Sequence, residues 1–225
     1  MIYLALILAV LIGFLFAHLL SPKTKVIQLF LSFSGAYLLS ITVLHLIPEV
    51  FETKQKNIGI FILIGIVLQT VLEYLSKGAE HGHIHSHGNE NHIPWLLLFS
   101  LNIHAFLEGM PLGLENNFNL LWAIIVHKIP VTIILAVFLR NSKLSRSSIY
   151  SIIVVFALMS PLGSYFARNF SYLYQYETQI NAIIIGVFLH ISTAILFESS
   201  ENHQFNLKKF ASILIGFGIA FLSVV

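Results

Sequence analysis

WLLLFSLNIHAFLEG at 95–109 and LLWAIIVHKIPVTIILAVFL at 120–139 are two of eight near-continuous apolar runs, and those runs decide what this chain can become. A helix needs roughly 20 apolar residues to cross the hydrocarbon core of a bilayer. Segments near 1–20, 28–50, 57–76, 94–114, 119–139, 148–167, 179–199 and 209–225 reach or approach that length. Lipid offers the backbone no hydrogen bonds, so each run must close its own, and a run of this length does so as a helix. The fold class expected is therefore an all-α integral membrane protein with eight transmembrane helices, forming a single transmembrane domain over 1–225. MIYLALILAV lacks the basic start of a secretory leader, and no small-residue cleavage site follows it, so it reads as a retained first span.

Composition agrees and excludes several function classes. Of 225 residues, 57% are hydrophobic and 10% charged, where soluble domains carry about a quarter charged residues. A formal net charge of +2 offers no footprint for nucleic acid. Cysteine is absent, which removes disulfides and thiolate metal sites. Every acidic residue is glutamate, so oxygen ligands come from Glu, amides, hydroxyls, backbone or water.

Most connections are short, and 115–119 (ENNFN) should turn spans four and five into a tight hairpin. The one long polar insert is 77–93. Lys23, Lys25, Lys77, Arg140, Lys143, Arg146, Lys208 and Lys209 lie on its side of the membrane, against Lys54, Lys56 and Arg168 on the other. Positive residues favour the cytoplasmic side. The insert should then be a His-rich cytoplasmic loop, with both termini outside, in a plasma (cell inner) membrane.

Ionisable groups at mid-membrane are expensive and mark function. Here they are His104 and Glu108 on span four, and His127 and Lys128 on span five. His104 and Glu108 are spaced i, i+4 and share a helix face. At 1.5 Å per residue, Glu108 lies roughly 6 Å further out than His104, and His127 roughly 12 Å below the outer boundary. Three potential ligands thus share one level, a donor set that suits Zn²⁺ and also Fe²⁺ or Mn²⁺. Pro111 and Pro130 should each deprive a carbonyl one turn earlier, that of Leu107 and of Val126, of its helical partner. Freed carbonyls there would make a polar path. Interhelical hydrogen bonds and a structural Glu–Lys pair remain the alternative for each residue taken singly.

HAFLEG followed by HKIP resembles the paired fourth- and fifth-span motifs of the ZIP (Zrt/Irt-like) divalent-metal transporters, roughly H-[NS]-x-x-[DE]-G and [HQ]-[ED]-x-P-[HE]-[EG]. VLHLIPE at 43–49, MSPLG at 159–163 and GVFLHIS at 186–192 resemble that family's second, sixth and seventh spans. The resemblance implies a metal position at His104, Glu108 and His127, with its remaining ligand replaced by Val131. It implies a second position at Ala105, Lys128 and Ser160, sharing Glu108. Neither Ala nor Lys can ligate there in the family's manner, so the resemblance implies one metal, with the Lys128 ammonium where a second cation would sit. A unit charge 6 Å from a dication costs roughly 5 kcal/mol at an effective dielectric near 20. Lys128 must then swing away, lose its proton, or weaken affinity and speed release. Without metal it should pair with Glu108.

By the same resemblance, spans one, four, five and six would carry the site as a unit against two, three, seven and eight, by alternating access. The function implied is uptake of divalent transition-metal ions, zinc above all, with no enzyme activity and no required cofactor. The alternative is a non-transporting metal-binding or metal-sensing protein on a ZIP-like scaffold. The expected partners are the metal substrate and the lipid bilayer, no nucleic acid, and, as an open expectation, a second copy in a homodimer. Candidate pathway residues are His45 and Glu49 at an outer mouth, and His190 and Glu198 toward the cytoplasm. His81, His83, His85, His87 and His92 offer loop sites for released metal. An intramembrane metalloprotease would need H-E-x-x-H, which 127–131 (HKIPV) does not supply.

Overall fold

The computed structural model describes residues 1–76, 78, 94–115, 117–198 and 206–224. The loop histidines His81, His83, His85, His87 and His92 lie outside the described residues, as does the side chain of Glu198. Among the described residues, eight helices long and apolar enough to cross a membrane follow one another: α1 (Ile2–Leu20), α2 (Thr24–Glu52), α3 (Ile58–Ser76), α4 (Trp95–Leu114), α5 (Phe118–Asn141), α6 (Arg146–Asn169), α7 (Glu177–Glu198) and α8 (Leu207–Val224). A 3₁₀ turn over Ser171–Tyr176 leads into α7. No strand occurs among the described residues.

Caps, more than hydropathy, set the helix ends. Asn117 Oδ1 accepts the Leu120 N–H at 3.0 Å and starts α5, and Ser145 Oγ accepts the Ser148 N–H at 3.1 Å and starts α6. Both satisfy amides left open in a first turn. Ser21, in the left-handed region at φ 43°, ends α1. Arg140 donates to its hydroxyl at 2.7 Å and to the Ala17 carbonyl at 3.3 Å, placing positive charge at a helix C-terminus.

The prolines act differently from one another. Pro48 follows a π-helical turn over Thr42–Leu46, the wide turn that absorbs a missing N–H. Pro130 and Pro161 sit inside continuous helices. At Pro111, α4 divides into Trp95–Gly109 and Pro111–Leu114. The Leu107 carbonyl, expected to be freed there, instead accepts the Met110 N–H at 3.1 Å. Tightening the last turn toward 3₁₀ geometry satisfies it, as helix ends commonly do.

The helices sort into two groups by packing. α1, α4, α5 and α6 are linked through α1–α5, α4–α6 and α1–α6, while α2, α3, α7 and α8 are linked through α3–α7, α2–α8 and α2–α7. The largest contact between the groups is α2 on α5. Close approach inside the first group depends on small residues, as in lipid, where packing replaces the hydrophobic effect. A Cβ on Gly109 would stand 2.1 Å from the Ser160 carbonyl oxygen, and one on Gly163 would stand 1.9 Å from that of Phe106. α4 therefore lies backbone to backbone on α6.

The buried apolar residues fall into two clusters. One gathers Leu6, Ile41, Ile124, Leu112 and Phe188; the other gathers Val10, Leu101, Ala105, Val131 and Phe156. Along α5, Ile124 belongs to the first and Val131 to the second, so His127 and Lys128 fall at the seam between them.

Candidate metal site in the membrane-spanning bundle

His104, Glu108, His127, Lys128 and Ser160 are each at most 2% exposed. Each arrives by a separate piece of local structure. The i, i+4 spacing puts His104 and Glu108 on one face of α4, and their Nε2 and Oε2 atoms are 3.5 Å apart. Gly109, the next residue, lets α6 close in and brings the Ser160 hydroxyl to Glu108 Oε1 at 2.8 Å. Consecutive residues on a helix point about 100° apart, so His127 and Lys128 divide their tasks. The His127 ring meets that of His104 edge to face, centroids 6.0 Å apart. Lys128 donates to Glu108 Oε1 and, at 2.6 Å, to Ser160 Oγ. Its Nζ also stands 4.8 Å from the centre of the Phe156 ring.

The hairpin expected of spans four and five is looser than its short turn suggests. α4 packs mainly on α6 and α3, and α5 mainly on α1 and α2. Polar side chains, not backbone contact, bridge α4 to α5.

Two donors on one tetrahedral ion with arms near 2.1 Å stand about 3.4 Å apart, and two imidazoles on it have centroids about 5 Å apart. The His104–Glu108 separation meets the first figure, and the His104–His127 pair needs a shift of about 1 Å to meet the second. Among the described residues, no three His, Cys, Asp or Glu side chains already enclose a common point. The reason is visible in the hydrogen bonds: one oxygen of Glu108 is committed to Lys128 and Ser160. Coordination by all three would bring the His127 ring about 1 Å nearer to that of His104 and set the ion against the Lys128 ammonium on one carboxylate. Val131, buried at 3%, adds no donor, and Ala105 is fully buried beside them. Pro130 is buried one turn from His127.

The other candidates lie away from this group. His45 and Glu49, 3.8 Å apart and about one-third exposed, sit on α2. Asn117 joins them: its Nδ2 lies 3.1 Å from His45 Nε2 and 3.3 Å from Glu49 Oε2, while its Oδ1 caps α5. Glu49, Pro111, Glu115, Asn117 and Asn181 line a narrow cleft with room for about one water-sized body. His190 on α7 is hydrogen-bonded to Glu73 of α3, and its Nδ1 lies 3.4 Å from Thr70 Oγ1. The sequence had linked His190 only with Glu198. No spacing could reveal Glu73, 117 residues away. Asn117 and Phe156 were likewise not singled out: the first lay in the turn expected at 115–119 and the second inside the span near 148–167.

A family model described as ZIP Zinc transporter matches residues 75–223, more than half of the chain. Protein zntD of Dictyostelium discoideum is 27% identical over 169 residues, covering 66% of this chain and 25% of that protein. Zinc transporter ZIP1 of Danio rerio is 31% identical over 93 residues, covering 40% and 31%. Zinc transporter ZIP1 of Takifugu rubripes is 33% identical over 87 residues, covering 37% and 29%. The chain thus matches about a quarter to a third of the length of these curated relatives.

Proposed function

The chain belongs to the ZIP zinc transporter family, and on that premise we propose that it moves divalent transition-metal cations, zinc above all and Fe²⁺ or Mn²⁺ by the same donors, across the bilayer. The observation that carries this reading is the buried meeting of His104 and Glu108 with His127 across the α4–α5 gap. Imidazole nitrogen and carboxylate oxygen at these separations suit zinc, and burying them together in an apolar bundle is otherwise unfavourable.

In this reading the cleft at Glu49, Asn117 and Glu115, with His45 beside it, receives the ion from outside. The ion then exchanges water for His104, Glu108 and His127. Lys128 keeps a second cation from occupying the far side of Glu108. His190 with Glu73, and then Glu198, would line the way to the cytoplasm. The loop histidines at 81–92 would collect what is released. Pro111 and Pro130 flank the ligands, and Pro111 marks where α4 divides. Rocking of α1, α4, α5 and α6 against α2, α3, α7 and α8 would open the site to either side, and the two-group packing supports it. His104, Glu108 and His127 all belong to the first group, which would carry them as a unit past the second, as the two halves of a carrier do.

One observation favours a second reading. The bond of Lys128 to Glu108 and Ser160, with Val131 where a ligand would stand, favours a protein that binds or senses metal in the membrane without passing it on. Zinc accumulation by cells expressing the chain tests the first reading. Expression should raise accumulation, and joint substitution of His104, Glu108 and His127 by Ala should abolish the rise in a correctly inserted protein. Equal accumulation with the triple variant would reject the site.

A further inference from the structure

Lys128 is 1% exposed and its ammonium has three neighbours: Glu108 Oε1, Ser160 Oγ at 2.6 Å, and the face of Phe156 at 4.8 Å. Phe156 and Ser160 stand i, i+4 on α6, so ring and hydroxyl flank the ammonium from one helix face. Phe156 is itself 2% exposed and packs in the apolar cluster with Leu101, Ala105 and Val131. We propose that Phe156 is a positioning residue that, with Ser160, seats the Lys128 ammonium when the substrate cation takes Glu108. The proposal rests on the reading of His104, Glu108 and His127 as the metal site.

The reasoning starts from what Lys128 loses. A dication on Glu108 withdraws the lysine's only anionic partner among the described residues and repels it. At 1% exposure, the ammonium has no bulk water within reach to replace that partner. Two contacts remain within reach. The hydroxyl offers lone pairs, and the ring offers a negative π-face well inside the roughly 6 Å range of a cation–π contact. The ring cannot ligate metal and does not compete for it. Its attraction to Lys128 therefore counts for more with metal bound than without, when Glu108 already neutralises the ammonium. Phe156 thereby sets how costly displacement of Lys128 is, and hence the working affinity of the site.

The test is a zinc titration of the full-length chain, reading only the component that His104→Ala removes, so that the loop histidines drop out. Phe156→Leu should weaken that component about tenfold, the scale of a desolvated cation–π contact, while Phe156→Tyr should preserve it. In a Lys128→Ala background, Phe156→Leu should change nothing, because the coupling disappears with its partner. Ring-fluorinated phenylalanine at 156 keeps the shape and drains the π-face, so affinity should fall stepwise with fluorine number. This series stands in if the Leu variant does not insert. Equal weakening in both backgrounds, or unchanged affinity on fluorination, would overturn the seat. A wild-type titration with no component sensitive to His104→Ala would overturn the metal-site reading itself, and the seat with it.

Discussion

Glu108 has two claimants. Its Oε1 is held by Lys128 and Ser160, while its Oε2 lies 3.5 Å from His104. Affinity for a dication is then the outcome of a competition inside a dry space, where charge differences are weakly screened. Lys128→Ala removes the competitor, and zinc should bind more tightly than to wild type. Lys128→Glu moves the cluster by two charge units and adds a ligand beside Glu108, so it should tighten binding further or raise intramembrane stoichiometry toward two. Titration of the three proteins checks this; weaker binding by both variants would mean that Lys128 supports the site. Protonated imidazole cannot coordinate, so zinc affinity should fall as pH drops and recover as it rises. A pH series on the His104-dependent component measures that slope. At this scale the sequence was partly legible: His104, Glu108 and His127 announced themselves as polar residues in lipid-length runs. Ser160 was reachable only through a family resemblance, because a serine in a helix carries no signal of its own. Phe156 was hidden because an aromatic in an apolar run reads as packing.

Helices were legible as elements, their interruptions less so. Pro111 was expected to free the carbonyl of Leu107; α4 divides there, and that carbonyl found a partner in Met110 through one tightened turn. Hydropathy gives only approximate ends; polar caps, Asn117 and Ser145, start α5 and α6 one and two residues before the apolar runs. Backbone contact between α4 and α6 makes a sharp prediction. Gly109→Ala would place a methyl 2.1 Å from the rigid Ser160 carbonyl, forcing the helices apart at a cost of about 1–3 kcal/mol. The detergent-solubilised variant should melt at lower temperature and bind zinc more weakly, since Ser160 and Phe156 are drawn away from Lys128 and no longer seat its ammonium. Gly59→Ala, with nothing within 4 Å of its Cβ, is the matched control and should melt no lower than wild type. Equal melting of the two variants would show that the close approach is dispensable.

The chain as a whole divides into two packed groups joined chiefly through α2 and α5, with the polar residues at the seam of two apolar clusters. That division could not be read from hydropathy, which counts spans but does not pair them; the pairing arises from where Gly109, Gly163, Gly65 and Gly186 let backbones meet. If the histidines at 81–92 only collect released ion, deleting them should change uptake rate modestly and leave metal preference intact. Complete loss of uptake by an inserted deletion protein would make the loop part of the path. The central claim is that the buried group at His104, Glu108 and His127 passes metal through the membrane. Zinc flux into proteoliposomes containing purified protein and an enclosed fluorescent zinc indicator measures this directly. The account predicts saturable, time-dependent entry by wild type and none by His104→Ala. Stoichiometric zinc binding by wild type with no entry above protein-free vesicles would contradict it.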